Sequence, residues 1–242
     1  MKKLLILALA VVMTAAMAGF ALAGNGTGIT NSPHDLRGSI PQLNDTGYGK
    51  SEICRICHSP HDHVFAAQNY LNGLLWNHDV STATYTMYDA AWGHDIDGTV
   101  DGQPTGTSKL CLACHDGTVA VDSFDEYVGT VNITDYVGVA GAFSRKVPGF
   151  LDGAALDMRG THPISITYEP FNGISGDKFL KPVTAAIGPY GLTIADVLDS
   201  DGKLNCDGCH DVHDANQEAV PGTPLLRADL EGSAICLACH DK

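Results

Sequence analysis

The sequence predicts a fold of mostly irregular loops with a few short helices and minimal strand, held together by bound groups rather than by a large core of side chains. Regular helical or strand periodicity is scarce along the 242 residues. Glycine-rich stretches run through residues 93–106 and 150–160, where glycine favours loops. All eight cysteines fall in four copies of one string, Cys-x-x-Cys-His.

Each copy of this string is a c-type haem attachment signal. Two thiols at this spacing form thioethers with the vinyl groups of one haem, and the histidine that follows binds the iron. Zinc sites and disulfides also use paired cysteines, but neither needs a histidine directly after every second cysteine. We therefore expect four covalently attached c-type haems, with the chain folded around their stack. The attachment residues are Cys54, Cys57, Cys111, Cys114, Cys206, Cys209, Cys236 and Cys239, and the proximal iron ligands are His58, His115, His210 and His240.

The chain begins with the features of a secretory signal peptide, residues 1–23. Two lysines precede an apolar run over residues 4–17, and Ala-Leu-Ala at residues 21–23 supplies a small-x-small cleavage site. No later segment approaches the roughly 20 apolar residues that span a bilayer. We expect an exported protein, extracellular or at the cell surface and alternatively periplasmic, in which residues 24–242 form a tetrahaem domain.

The charge of the chain excludes some classes of partner. The formal net charge is −14, and it becomes −16 once the two lysines of the signal peptide are removed. Nucleic acid and anionic membranes both require basic patches, so neither is expected as a partner.

A few regular elements are predicted between the haem motifs. An imperfect 3.6-residue apolar stripe over residues 64–75 predicts a helix after the first motif. Thr193 can cap a short helix through Leu198. Alternating apolar residues over 164–168 predict a half-buried strand, and His162 shares their parity, so its side chain would point toward the core.

The motifs also form an internal repeat. The first and third copies continue as Cys-x-x-Cys-His-x-x-His-Asp, and the second and fourth continue as Cys-Leu-Ala-Cys-His-Asp. Such self-similarity indicates two structural units. We place two dihaem halves at approximately residues 24–140 and 141–242.

The extra histidine of the doubled motif occurs as His61 and again as His213. Each lies three residues after a proximal histidine, within about 10 Å of chain reach. The two thioethers hold the chain on the proximal side, so this histidine cannot reach the opposite face of the same iron. We predict that each binds the iron of a neighbouring haem and so packs two haems together.

Four six-coordinate irons need four distal ligands, and seven histidines lie outside the motifs. The repeat helps to choose among them, because each half has one histidine upstream of its doubled motif. His78 is the reserve candidate. Only two methionines follow the signal peptide, so methionine ligation is not expected. The predicted distal ligands are His34, His61, His162 and His213.

Several short strings extend beyond the haem motifs themselves. They are Ser-Pro-His-Asp near the start, Cys-x-x-Cys-His-Ser-Pro-His, Leu-Trp-Asn-His, Cys-Leu-Ala-Cys-His-Asp-Gly-Thr-Val-Ala, and the His-Pro before the second half. Through them the chain resembles the doubled-motif multihaem c-type cytochromes. Within that family it is similar to the tetrahaem subunits of extracellular cytochrome nanowires, the OmcE-like proteins.

This resemblance implies low-potential bis-histidine haems in a continuous stack and subunits joined head to tail. It also implies that a distal histidine of one subunit, His61 or His34, completes the haem held by His240 of the next. A heterologous interface that does not close on itself generates an open polymer. The expected partners are therefore further copies of the chain in a filament, other redox proteins and extracellular electron acceptors.

Three function classes follow from these features. The first is electron transfer, either as the subunit of a conductive filament or as a monomeric periplasmic shuttle. The second is a multihaem reductase, which needs a five-coordinate iron, but seven candidate histidines serve four irons and no cluster of catalytic residues stands out. The third is a haem-binding structural or storage protein, which would not need bridged haems. We expect electron transfer and no enzymatic activity.

Overall fold

The helices of the protein are short, and each α-helix carries a haem motif. They are α1 (Gly106–His115), α2 (Cys206–Cys209) and α3 (Ala234–Cys239). Shorter 3₁₀ helices span Leu36–Gly38, Ile194–Val197 and Glu231–Ser233. The computed structural model describes residues 28–30, 32, 34–38, 40, 52–59, 75–88, 96, 98–125, 127–131, 133, 156–170, 179–213 and 225–241, and these helices belong to that part of the chain.

The strands of the described segments are two residues long and form three two-stranded sheets. One pair is parallel and two are antiparallel. Strands this short contribute few backbone hydrogen bonds, so they join neighbouring loops rather than form a layer. The pairs are β1 (Tyr85–Thr86) with β2 (Leu156–Asp157), β3 (Ile166–Thr167) with β6 (Lys203–Leu204), and β4 (Ala186–Ile187) with β5 (Leu192–Thr193).

This architecture confirms the coarse fold prediction of loops, few short helices and minimal strand. The predicted stack of four haems stays a prediction. The signal peptide and nearly all of the helix predicted over residues 64–75 lie outside the described residues.

The helix predicted after Thr193 is present as the 3₁₀ turn Ile194–Val197. The Thr193 backbone N–H and hydroxyl both donate to the Asp196 carboxylate, at 2.8 and 2.6 Å. These bonds lower the pKa of Asp196. The turn ends one residue earlier than predicted because Leu198 is extended.

The strand predicted over residues 164–168 is shorter than expected, and the orientation inferred for His162 is wrong. Regular pairing covers only Ile166 and Thr167, and His162 is exposed. Ser165 has a φ of 52°, which interrupts the extended backbone directly before the strand. Alternation of faces requires continuous extended backbone, so the parity of Ile166 does not extend back to His162.

The apolar core is divided into small clusters, and each includes a residue from a haem motif. The first surrounds Ile56 and packs against Cys57 and Cys114, the second contains Leu112, and the third contains Ala238. The attachment loops are thus the points around which the chain packs. The other buried members are Leu36, Ile40, Val121, Phe124 and Ile133 in the first cluster, Tyr85, Met87 and Met158 in the second, and Ile187 and Val197 in the third.

The predicted boundary between the halves, near residues 140 and 141, lies outside the described residues and stays a prediction. The chain after it returns to the first half, because β2 pairs with β1 and Met158 packs beside Tyr85. Lys203 also bonds Asp101 across the two halves, at 2.8 and 2.9 Å.

Candidate haem centre

A single helical turn positions the two thiols and the imidazole in three of the motifs. The histidine N–H donates to the carbonyl of the first cysteine, at 2.9 Å for His58, 3.0 Å for His210 and 2.9 Å for His240. The second motif instead ends the ten-residue helix α1. In a helical turn, residues three and four apart share a face, so the first cysteine lies on the same side as the second cysteine and the histidine.

Cysteines of consecutive motifs lie next to one another. Cys57 and Cys114 pack against the same apolar cluster. Cys111 and Cys206 are within hydrogen-bonding reach of each other, and Cys209 neighbours Cys239. The four attachment loops therefore adjoin in chain order, from the first to the fourth.

The thiols are not joined in disulfides, and burial disfavours the charged form of Cys57, Cys114 and Cys209. Burial raises the pKa of Cys57 and of Cys114 to about 12, and that of Cys209 to about 11. The hydrogen bond between Cys111 and Cys206 raises the pKa of Cys111 and lowers that of Cys206. A thioether sulfur carries no charge, so thioether formation suits these buried positions.

Three motif histidines each face a histidine from outside the motifs. The ring centroids of His34 and His115 are 6.0 Å apart with an interplanar angle of 61°. Those of His58 and His213 are 6.2 Å apart and nearly parallel, at 16°. Those of His162 and His240 are 6.3 Å apart, at 60°.

These separations match the geometry of two imidazoles on one metal. A metal–nitrogen bond of about 2 Å on each side, plus about 1 Å from nitrogen to ring centre, places two axial imidazole centroids about 6 Å apart. Edge-to-face and offset aromatic pairs also have centroids about 4.5–7 Å apart, and Trp76 likewise lies 6.2 Å from His58, so the motif histidine in each pair carries the assignment to a metal. The residues present therefore fit a haem iron between each pair, and they supply the thiols for its attachment.

The remaining predicted ligands are His210 and His61. His210 follows α2 and forms a backbone bridge with Leu226. His61 lies outside the described residues.

His78, the reserve candidate, is buried beside an attachment sulfur rather than opposite a motif histidine. Its Nε2 lies 3.4 Å from the Cys114 sulfur. Its Nδ1 is 2.7 Å from the carbonyl of Asp79, and Nε2 is 3.1 Å from that of Ala120. Burial lowers the pKa of His78.

In two of the paired histidines, the backbone N–H is held by a side chain two residues earlier in the chain. The sequence analysis did not predict these two contacts. The His34 N–H donates to the Ser32 hydroxyl and the His213 N–H donates to an Asp211 carboxylate oxygen, each at 3.1 Å. Serine and aspartate commonly form such local turns. The strings Ser-x-His and Asp-x-His would therefore have predicted these local turns.

A buried polar network joins α1 to α2. Asn205 accepts hydrogen bonds from the hydroxyls of Ser108 and Ser165, at 2.9 and 3.2 Å, and its amide donates to Asp199 at 2.8 Å. Ser108 also accepts from the backbone N–H of Cys206 at 3.1 Å. This network holds the second and third motifs in contact, and nothing in the sequence pattern pointed to it.

Comparison with protein families identifies a match over part of the chain. Residues 200–242, which carry the third and fourth motifs, match the family described as "Doubled CXXCH motif". No curated protein matches the chain. Within the described segments, no helix is both long and apolar enough to cross a membrane. The doubled motif supports a multihaem c-type cytochrome, with covalently bound haem that transfers electrons.

Proposed function

We propose that the protein transfers electrons through four bis-histidine c-type haems packed close together. The observation that carries this proposal is the set of three histidine pairs, His34 with His115, His58 with His213, and His162 with His240. Each pair joins one motif histidine to one histidine from elsewhere at 6.0–6.3 Å. Two imidazoles bound to opposite sides of one iron would have ring centroids about 6 Å apart.

The bound haem supplies a one-electron iron couple, and the chain sets its properties. With the two histidines of a pair holding one iron, no position would stay open for substrate, and the potential would be lower than with methionine ligation. The contact between cysteines of consecutive motifs brings neighbouring haem attachments together. A series of neighbouring haems that are all six-coordinate suits electron transfer rather than substrate binding.

The pairing of His58 with His213 supports the predicted bridge between haems. His213 lies three residues after the proximal ligand of the third haem, yet its ring faces the proximal ligand of the first. By the internal repeat, we assign His61 the corresponding role opposite His210. These two ligands would cross-connect the first and third haems.

The haem stoichiometry tests the proposal directly. Mature holoprotein should have the mass of the polypeptide from about residue 24 plus four haems, and it should contain no free thiol. Two or fewer haems by pyridine haemochrome assay, or zinc in their place, would contradict the proposal.

For the assembly state, we propose a head-to-tail filament, as the resemblance implies. Two exposed apolar side chains support a contact surface there, Leu237 within the fourth motif and Phe179 beside it. The structure offers an in-chain alternative to the trans ligand expected for the His240 haem. His34 faces His115 instead, and His162 faces His240 within the same chain.

That in-chain pairing favours a second candidate, a monomeric periplasmic shuttle. A fourth haem already ligated by His162 does not need a histidine from another subunit. Carbon monoxide difference spectra separate both candidates from a reductase, because a fully six-coordinate set of haems should not react.

A further inference from the structure

The first, third and fourth motifs share one backbone arrangement around their histidine. Each histidine forms an isolated antiparallel bridge with a distant segment, His58 with Trp76, His210 with Leu226 and His240 with Leu180. In each case the residue after the histidine donates its N–H to the residue before the bridge partner. The residue after the bridge partner donates its N–H to the second cysteine, and these six bonds measure 2.6–3.0 Å.

A side-chain bond completes each arrangement at an equivalent position. The donor is always the residue directly after the bridge partner, and the acceptor is always the carbonyl of the first variable residue in Cys-x-x-Cys-His. Asn77 Nδ2 donates to Arg55 at 2.6 Å, Arg227 Nε to Asp207 at 2.7 Å, and Lys181 Nζ to Leu237 at 2.6 Å.

The helical turn of the motif explains why this carbonyl needs a donor. The last carbonyls of a helical turn have no partner within the turn. The N–H that would continue the helix belongs to the residue after the histidine, which bonds the distant segment instead. A side-chain donor satisfies the carbonyl, and a cation is additionally favoured at a helix C-terminus.

The second motif provides an internal comparison. Its helix continues through the histidine, so the equivalent carbonyl, that of Leu112, accepts the backbone N–H of the C-cap residue Asp116 at 2.9 Å. This carbonyl is therefore satisfied within α1.

The spacing along the chain does not explain why this side-chain contact recurs in three motifs. Asn77 and Arg227 lie 22 and 20 residues after the carbonyl that they contact, whereas Lys181 lies 56 residues before its own. Leu75 and Leu225, which precede two of the bridge partners, also have positive φ values of 50° and 52°. Bulky residues rarely adopt this conformation without support from their surroundings. The common element is the attachment loop itself.

We propose that Asn77, Arg227 and Lys181 are positioning residues that hold the attachment loops of the first, third and fourth motifs, and that Lys181 and Arg227 raise the reduction potentials of the haems beside them. The proposal rests on haem attachment at these motifs. A cation near the iron disfavours the more positive oxidised state. The charged Nζ of Lys181 lies 2.6 Å from the Leu237 carbonyl, inside the fourth attachment loop.

Lys181 gives the sharpest test because it is a cation that contacts the fourth motif, whereas Arg227 also lies beside Asp211, which bonds the N–H of His213. We would prepare holoprotein as Lys181→Met, Lys181→Gln and Lys181→Arg, and measure haem content by mass and individual midpoint potentials by spectroelectrochemistry with EPR. Lys181→Met should shift the fourth haem to lower potential, with some loss of fourth-haem attachment. Lys181→Gln should keep the fourth haem attached but lower its potential. Lys181→Arg should match the parent in both attachment and potential.

A matched control is Arg37→Met, which removes one positive charge from a side chain that pairs with Asp35 at 2.5 Å, near His34 and the second motif. It should leave the fourth haem potential unchanged. If Lys181→Met does not mature, Asn77→Asp tests the equivalent contact at the first motif, since an ionised carboxylate cannot donate to the Arg55 carbonyl or to Asp125, both of which the Asn77 amide contacts. It should reduce first-haem attachment relative to the parent.

The two proposals fail in different ways. A parent protein without haem at these motifs overturns the proposed function. A parent with its full haem content, combined with Lys181→Met and Asn77→Asp proteins that equal it in haem content and potential, overturns only the positioning role.

Discussion

At the residue scale, single side chains determine which imidazoles meet. His213 faces His58 at 6.2 Å, and the Asp211 carboxylate holds the backbone N–H of His213 at 3.1 Å. Asp211 is itself buried and bonded through its N–H to Leu225. The backbone of His213 is therefore positioned by the same bridge that holds the third attachment loop.

Replacing His213 with alanine tests the bridge between haems. We expect His213→Ala to convert one haem, that of His58, from low-spin to high-spin, because its iron loses an axial ligand. The haem at Cys206 and Cys209 should remain attached and low-spin. EPR and optical spectra of the holoprotein measure both properties. Four unchanged low-spin haems would show that His213 is not a ligand.

Asp211→Ala should remove the hydrogen bond that holds the His213 backbone while leaving the His213 imidazole in the chain. Loss of one hydrogen bond, about 1 kcal/mol, corresponds to a roughly fivefold larger fraction of detached histidine. The measurement is the rate of carbon monoxide binding to the reduced protein. Asp211→Asn keeps an acceptor oxygen and should behave like the parent, whereas equal rates for the parent and Asp211→Ala would argue against a positioning role.

At the element scale, short helices are held by contacts between motifs rather than by their own length. The network centred on Asn205 joins α1 to α2 and involves Ser108 and Ser165, both fully buried. Helices of four to ten residues are marginal alone, so their position depends on such tertiary contacts.

Asn205→Ala should therefore destabilise the holoprotein. Two buried hydroxyls lose their acceptor, and each unsatisfied polar group costs about 1–3 kcal/mol. Denaturant titration followed by haem absorbance gives the free energy of unfolding. Tyr190→Ala, at an exposed position between β4 and β5, is the control and should stay within about 0.5 kcal/mol of the parent. Equal stability of Asn205→Ala and the parent would exclude a structural role for the network.

At the scale of the whole molecule, the assembly state depends on which chain supplies the second histidine for the haem at His240. The facing rings of His162 and His240 provide an in-chain solution. A net charge of −14 opposes association of copies, and salt weakens this repulsion.

The assembly of native secreted protein distinguishes filament from shuttle. We expect filaments by negative-stain microscopy, more abundant as ionic strength rises because repulsion between acidic subunits is screened. We also expect His162→Ala to make the haem at His240 high-spin. Monodisperse monomers at every salt concentration would leave the shuttle as the better account, and a low-spin fourth haem in His162→Ala filaments would establish ligation from a neighbouring subunit.

The sequence alone determined the chemistry of attachment, because the two thiols and the imidazole lie within five consecutive residues. It also predicted a loop-rich fold with few short elements, and a capped turn at Thr193, because each depends on local composition or neighbouring residues. Only the tertiary structure decided which histidines face each other and which donors support the motifs. Lys181 and Leu237 are 56 residues apart, and the left-handed Ser165 broke the strand alternation from which the orientation of His162 had been inferred. Such contacts depend on loop paths, which hydrophobic periodicity does not encode.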